Sequence, residues 1–211
     1  PSFCGDLQFD ALGVPEHIYE TVSPMATLCK LTALRHALPP RPAHAHKGLY
    51  GHVLVIGGDY GMAGAVAMAA DASARMGAGL TTVATRPEHV MAITVRRPEV
   101  MAHGVISAQD LMPLLARATV IVIGPGLGRS PWAEQLLQAA CNTDKPLVVD
   151  ADALNMLAEG RVIKQTHREN WILTPHPGEG GRLLGTNSNT LQEDRIRAVR
   201  ALSKRYGGVV V

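Results

Sequence analysis

From Gly51 onward, short continuous apolar runs alternate with segments whose apolar residues recur at helical spacing. Val53-Leu54-Val55-Ile56, Val120-Ile123, Leu147-Val149, Trp171-Leu173 and Val209-Val211 are such runs, and Leu80-Thr81-Thr82-Val83-Ala84 reads as the second strand. Runs of this length and boundary predict buried strands. Val120-Ile123 is the most hydrophobic and is expected at the centre of a sheet. A weaker run near Val100 to Val105 reads as an edge strand.

Between the strands lie the helices. An alanine-rich one covers Ala65 to Met76 and ends at Gly77 and Gly79. A short one falls near Glu88 to Val95. Ser107 caps a helix that carries Leu111, Leu114, Leu115 and Ala118 on one face. Ser130 and Pro131 open the next as N-cap and first-turn proline, and another runs from Ala153 to about Ala158. After Trp171-Leu173 comes a helix with Arg182, Leu183 and Leu184. Thr190 and Glu193 read as a capping box opening one long helix, with Leu191, Ile196, Val199 and Leu202 inward, that stops at Gly207-Gly208. Regular alternation of apolar strands and helices predicts an α/β fold, a mainly parallel sheet covered on both faces. There is no internal repeat.

Residues 1–45 differ. Pro24, Pro39, Pro40 and Pro42 punctuate them, and Pro39-Pro40-Arg41-Pro42 should be extended. The segment reads as the tail of a preceding domain plus a linker, with a short helix around Met25 to Ala37; His44 and His46 read as linker residues. The second region is 46–211. Because the chain begins with Pro and ends inside an apparent strand, it is expected to be a piece of something longer.

Composition narrows the partners. Hydrophobic residues make up 46% and charged residues 18%, which excludes general disorder. Aromatic residues are 4% and the formal charge is +2, so no base-stacking surface or polyanion partner is expected. Three cysteines, Cys4, Cys29 and Cys141, lie far apart. They suggest neither a disulfide framework nor a metal site and point to a reducing cytoplasm. No apolar run reaches the roughly 18 residues of a membrane span.

The unusual sequence collects at strand ends, where open parallel sheets bind ligands. Gly57-Gly58-Asp59 ends the first strand, and its small residues either let a ligand approach the backbone or make a plain tight turn. Gly124-Pro125-Gly126-Leu127-Gly128 forms a rigid glycine loop suited to an anionic or planar ligand. It is neither the G-x-G-x-x-G dinucleotide fingerprint nor a G-x-x-x-x-G-K-[ST] phosphate loop. Asp150 and Asp152 follow the next strand. They suit a Mg²⁺–phosphate site, while capping of the following helix is the other reading and the favoured one for Asp152. His176, between Pro175 and Pro177 at a strand end, is expected to contact ligand. Glu179 falls on the helix first turn, where interaction with the dipole is the plain alternative.

Taken in order, His46-Lys47-Gly48, Val55-Ile56-Gly57-Gly58, Gly77-Ala78-Gly79-Leu80, Val122-Gly128, Asp150-Ala151-Asp152-Ala153-Leu154-Asn155 and Leu173-Thr174-Pro175-His176-Pro177-Gly178-Glu179 resemble the ADP/ATP-dependent NAD(P)H-hydrate dehydratase family. The opening Cys4-Gly5-Asp6-Leu7-Gln8-Phe9 resembles the end of the epimerase domain fused upstream in bifunctional bacterial members. The resemblance implies a ribokinase-like three-layer α/β/α fold and a metabolite-repair reaction. In it the S-epimer of hydrated NADH or NADPH loses water at the cost of ADP or ATP, with Mg²⁺, releasing AMP or ADP and phosphate. This looks like kinase chemistry on the ring hydroxyl followed by elimination of phosphate.

By the same resemblance, Ala65, Gly124, Gly126, Gly128, His176 and Glu179 would lie on the hydrated dinucleotide. Gly57, Gly58, Asp150, Asp152 and Asn155 are the candidates for the phosphate and nucleotide side. The family continues past a Val209-Val211-like strand into a Lys-Gly nucleotide loop and a glycine-rich anion hole with the catalytic aspartate. The 211 residues alone are therefore expected to be inactive. A homo-oligomer is also implied. The competing readings are a ribokinase-like kinase of a vitamin precursor and a non-catalytic remnant.

Overall fold

A computed structural model of the chain describes residues 5–6, 8–37, 39–163 and 166–211. Contacts divide it into two units, residues 1–43 and 44–211. Cys4 and Leu7 of the opening motif lie outside the described residues. The first unit holds two short helices, α1 (Glu16–Thr21) and α2 (Leu31–Leu34), the latter extended by a 3₁₀ turn at Arg35–Ala37. The helix expected from Met25 is thus confined to the second half of that span. None of the described residues of this unit is buried.

The second unit alternates strand and helix. In chain order it contains β1 (His52–Ile56), α3 (Ala63–Arg75), β2 (Leu80–Thr85), α4 (Val90–Arg96), β3 (Met101–Gly104), α5 (Ala108–Arg117), β4 (Val120–Ile123), α6 (Pro131–Cys141), β5 (Leu147–Val149), α7 (Ala151–Glu159), β6 (Trp171–Leu173), α8 (Pro177–Leu184), α9 (Ser188–Glu193), α10 (Arg195–Tyr206) and β7 (Val209–Val210). The strands form one seven-stranded sheet in the order β3-β2-β1-β4-β5-β6-β7. Every pair is parallel, with Ile56 opposite Ala84 on one side and Ile123 on the other. β4 is the middle strand, as its hydrophobicity predicted.

Strand side chains alternate between two cores, as a pleated sheet covered on both faces requires. Leu54, Ile56, Ile121 and Ile123 join side chains from α5, α6, α7, α8 and α10. Val55 and Val83 meet Val66, Ala67 and Ala70 of α3 and Ile93 of α4. The second core covers only part of its face: Val148 is half-buried and Ile172 is 39% exposed.

Helix starts follow local chemistry. Ser107 and Asp110 form a reciprocal capping box at α5, and Ser130 caps α6 ahead of Pro131. One expected start is corrected. The Thr190/Glu193 capping box does not form, and there is no single long helix. Asn187 caps α9 by accepting from the Thr190 amide at 2.9 Å, and Asp194, with φ −145°, breaks the run and caps α10 through the Arg197 amide at 2.9 Å. The break turns Ile196 and Val199 outward, leaving them 38% and 39% exposed, while Ala198 and Leu202 are buried. Asp194 won because a side-chain acceptor competes directly with helix continuation. Among the described residues no helix is long and apolar enough to cross a membrane.

Candidate active site

The strand order reverses between β1 and β4. The chain moves outward through β2 and β3, then returns to place β4 against β1. In such sheets the crevice for ligand opens at the carboxyl ends flanking that switch point. The loop after β1 carries Gly57, Gly58 and Asp59, and the loop after β4 carries Gly124 to Gly128. The two are stitched together: the Gly58 amide donates to the Pro125 carbonyl at 3.1 Å, and the Asp59 amide to the Gly126 carbonyl at 2.6 Å.

This stitching gives the glycines a packing reason of their own. A Cβ at Gly57 would collide with the Pro125 carbonyl oxygen, and one at Gly124 with that of Asp150. At Gly58 it would meet Thr85 and Val66, at Gly126 Met62 and Ala65, and at Gly128 the Asp59 carboxylate. At each of these positions protein fills the space a side chain would take. The open positions are elsewhere. Gly61 and Gly64, on either side of the α3 start, have nothing within 4 Å. Met62 supplies no side-chain cap there, so the N-terminus of this 13-residue helix is electrostatically uncompensated. Ala65, half-buried in the first turn, borders the same opening and touches the Gly126 position.

The carboxylates have distinct tasks. Asp152 does not cap α7. Its Oδ2 accepts from the Gly128 amide at 2.9 Å and so anchors the glycine loop. Asp150 occupies the N-cap position without making a cap bond, and instead accepts from Thr174 Oγ1 at 2.8 Å. Between them Ala151 adopts φ +48°, a left-handed conformation rare for a residue with a Cβ. Asn155 is buried, and its Oδ1 accepts from Arg182 Nε at 2.7 Å, joining α7 to α8.

His176 sits at the carboxyl end of β6 as the N-cap of α8. Its Nδ1 accepts from the Gly178 amide at 3.0 Å, and Nε2 lies 3.2 Å from Glu179 Oε1. Glu179 is 5% exposed and its Oε2 accepts from the His176 amide at 3.0 Å. Both Glu179 oxygens therefore serve His176, and Glu179 is placed as a positioning group. The imidazole itself stays 62% exposed.

Sequence reasoning missed the hub of the crevice. Asp59, only 7% exposed, accepts from Arg86 Nε at 2.7 Å, Ser130 Oγ at 2.7 Å and the Tyr60 amide at 2.9 Å. Burial works against its ionisation, yet these hydrogen bonds outweigh burial and hold the carboxyl below its ordinary 3.8. Arg86 and Ser130 lie 27 and 71 residues away from it, so only the strand order brings these partners to Asp59.

The described residues contain no cluster of three or more His, Cys, Asp or Glu able to hold a metal ion. Asp150 and Asp152 each spend an oxygen on a protein donor. They do not fit an all-protein Mg²⁺ cage; a Mg²⁺ held mainly by phosphates and waters makes no such demand. A cavity of about 630 Å³ opens at the opposite end of the sheet, beside Cys141, Thr143, Arg168 and Asn170. It carries none of the strand-end loops, and burial pushes its Cys141 thiol up to about 11, away from reactivity.

A protein-family model described as NAD(P)H-hydrate dehydratase matches residues 53–211. The chain is 55% identical, over all 211 of its residues, to the bifunctional NAD(P)H-hydrate repair enzyme of Coxiella burnetii and spans 42% of that protein's length. Among solved structures, the ADP/ATP-dependent NAD(P)H-hydrate dehydratase from Bacillus subtilis, co-crystallized with ATP/Mg²⁺, superposes with a TM-score of 0.71 at 29% identity. That match covers 86% of this chain and 64% of the other. A ribokinase-like superfamily protein from Enterococcus faecalis gives 0.71 at 30% identity, covering 82% and 60%. The expected ribokinase-like α/β fold is borne out.

Proposed function

The chain belongs to the NAD(P)H-hydrate dehydratase family, and from that premise we propose that it holds the dinucleotide-facing half of a repair site. The whole protein would use ADP or ATP to dehydrate the S-epimer of hydrated NADH or NADPH, restoring the reduced nucleotide and releasing AMP or ADP with phosphate. The observation that carries this reading is the match over residues 53–211 falling on a crevice at the sheet's switch point.

In this reading the open N-terminus of α3, with Gly64 and Ala65, receives the hydrated dinucleotide. The exposed imidazole of His176 faces it from the other side of the switch point, and Glu179 fixes that ring. Gly124, Gly126 and Gly128 shape the floor between them, with Asp152 holding the loop. Asp150, Asn155, Gly57 and Gly58 keep their nucleotide-side assignment through the loops they position. Phosphoryl transfer asks a protein chiefly for positioning and charge neutralisation, which fixed amides supply without rearrangement. Mg²⁺ would come with the nucleotide phosphates and neutralise their charge. The bifunctional name of the Coxiella relative supports a second activity in the longer protein, and the resemblance supports an epimerase for it and a homo-oligomer in the cytoplasm.

The test is a spectrophotometric assay of the full-length protein with hydrated NADPH, ADP and Mg²⁺. ADP-dependent recovery of the reduced-nicotinamide band is expected. Phosphorylation of a vitamin precursor with no such recovery would replace this reading with that of a ribokinase-like kinase.

A further inference from the structure

Arg86 leaves the carboxyl end of β2 and is fixed on three sides. Its Nε donates to Asp59 Oδ1 at 2.7 Å. Its guanidinium carbon lies 4.5 Å from the centre of the Tyr60 ring and 4.1 Å from that of Trp132. Asp59 is in turn locked by Ser130, the cap of α6, and Trp132 by its Nε1 donating to the Val105 carbonyl at 2.8 Å. The arginine side chain is only 14% exposed, so it is aimed rather than free to wander.

A guanidinium carries five N–H donors. Among the described residues only the donor on Nε has a partner; the four on the Nη atoms have none. Those atoms are also not sealed in the interior, unlike the Nε of Arg97, which is buried among the described residues without a hydrogen-bond partner. They open to solvent beside the crevice.

Arg168 shows what an arginine with a purely architectural task looks like in this fold. Its Nη1 donates to the Cys141 carbonyl at 2.8 Å, its Nη2 to Thr143 at 2.8 Å and Lys145 at 3.2 Å, and its Nε to Asn170 at 3.1 Å. Arg86 is held as firmly but keeps its fork unspent.

We infer that Arg86 is a phosphate-binding residue of the crevice, clamped by Asp59, Tyr60 and Trp132 so that its two Nη groups meet a phosphate of the bound dinucleotide. The dinucleotide identity rests on the function proposed above. A planar fork stacked on aromatic rings suits bidentate phosphate recognition in a way a lysine does not. Because the clamp fixes the side chain beforehand, binding costs little further rotamer entropy. Two phosphate sources share this chemistry: the diphosphate bridge of both nucleotides, and the extra monophosphate of the NADP form.

The experiment is calorimetric titration of the full-length protein with NADPH, NADH and inorganic pyrophosphate, for the unchanged protein, Arg86→Lys and Arg86→Gln. Far-ultraviolet circular dichroism accompanies each. Tyr60→Ala, which removes one wall of the clamp at a 62% exposed position, serves as a second probe that leaves Arg86 in place. Arg86→Lys should weaken binding by about ten-fold or more, the loss of one charge-assisted hydrogen bond. Equal losses for NADPH and NADH assign the diphosphate bridge, and a loss confined to NADPH assigns the extra phosphate. If pyrophosphate binds through Arg86 while neither nucleotide does, Arg86 stands as a phosphate-binding residue and the dinucleotide reading, with the function it rests on, falls. Affinities within two-fold of the unchanged protein for all three ligands in folded Arg86 variants overturn the inference, as does an unchanged protein that binds none of them.

Discussion

Asp152 Oδ2 accepts a hydrogen bond from the Gly128 amide at 2.9 Å, although 24 residues separate the two along the chain. The bond ties the first turn of α7 to the end of the loop after β4, across the boundary between neighbouring strands. Removing it in Asp152→Ala leaves a partly buried N–H without a partner, at a cost of about 1–3 kcal/mol. Asp152→Asn keeps an acceptor oxygen and should lose less. Urea unfolding read beside NADPH titration checks this. Expected is a clear loss of both stability and affinity for Ala and a small one for Asn; equal behaviour of the two variants would show that the carboxylate matters through charge alone.

His176 combines a cap with an exposed ring, and the two roles separate by substitution. Asn is a good N-cap and Ala is not, with about 1 kcal/mol between them at a typical helix start. His176→Asn should therefore retain stability while losing whatever the imidazole gives the ligand. His176→Ala should lose both. Thermal melting and substrate KM of the full-length protein distinguish the cases, and a His176→Asn variant with unchanged KM would confine His176 to capping.

The pH dependence of folding follows from Asp59. Its pKa in the folded protein lies below the ordinary 3.8 of the unfolded chain. The native state therefore binds fewer protons than the unfolded state in that window. The stabilisation is complete above about pH 4 and is lost as pH falls through the lowered value. Asp71, which is half-buried, and Asp110, which is exposed, are shifted the same way, so a residual decline remains without Asp59. Asp59→Asn should cost about 1–3 kcal/mol at pH 7, where Arg86 loses its partner. The gap to the unchanged protein should then narrow on acidification, as urea midpoints between pH 7 and pH 3 will report. A constant gap would mean that Asp59 does not titrate in this range.

The sheet was legible because its strands announce themselves locally. Val53-Ile56, Val120-Ile123 and Leu147-Val149 are apolar at every position, as strands buried on both faces must be. The crevice was legible as a place, since Gly57-Gly58, Gly124-Gly128 and His176 all end strands. Its working parts were not. Gly124 is glycine because the Asp150 carbonyl lies against it, and Arg86 matters because Asp59 and Trp132 lie on either side. Both facts depend on strand order, which local pattern does not encode. The split between α9 and α10 escapes the apolar pattern for a local reason: the Asp194 side chain caps α10 through the Arg197 amide inside a run whose apolar spacing continues across it.

Glycines separate into architectural and open classes, and the two should respond oppositely. Gly57→Ala forces a methyl into the Pro125 carbonyl and should destabilise the fold by more than about 2 kcal/mol, as backbone-displacing substitutions do. Gly64→Ala adds a methyl in open space on a helix, which favours Ala by about 0.5–1 kcal/mol in helix interiors. If the ligand lies on the N-terminus of α3, that methyl should nevertheless weaken nucleotide binding. Higher melting temperature with lower affinity is the expected signature of Gly64→Ala. Unchanged affinity would move the ligand away from α3.

Ala151 offers the sharpest test of whether strain at the crevice is functional. Its φ of +48° belongs to a region that costs a residue with a Cβ roughly 1–2 kcal/mol. The residue stands between Asp150, bonded to Thr174, and Asp152, bonded to Gly128, so relaxing it would rotate one carboxylate away from its partner. Glycine removes the steric cost but adds about 0.4–1 kcal/mol of unfolded-state entropy, leaving a net gain of roughly 0.5–1 kcal/mol in Ala151→Gly. A stabilised variant whose nucleotide affinity is unchanged would mean that the two hydrogen bonds alone hold the loops. A stabilised variant that binds more weakly would mean that the strained alanine keeps Asp150 and Asp152 aimed, and that the loops have been released from the geometry the ligand requires.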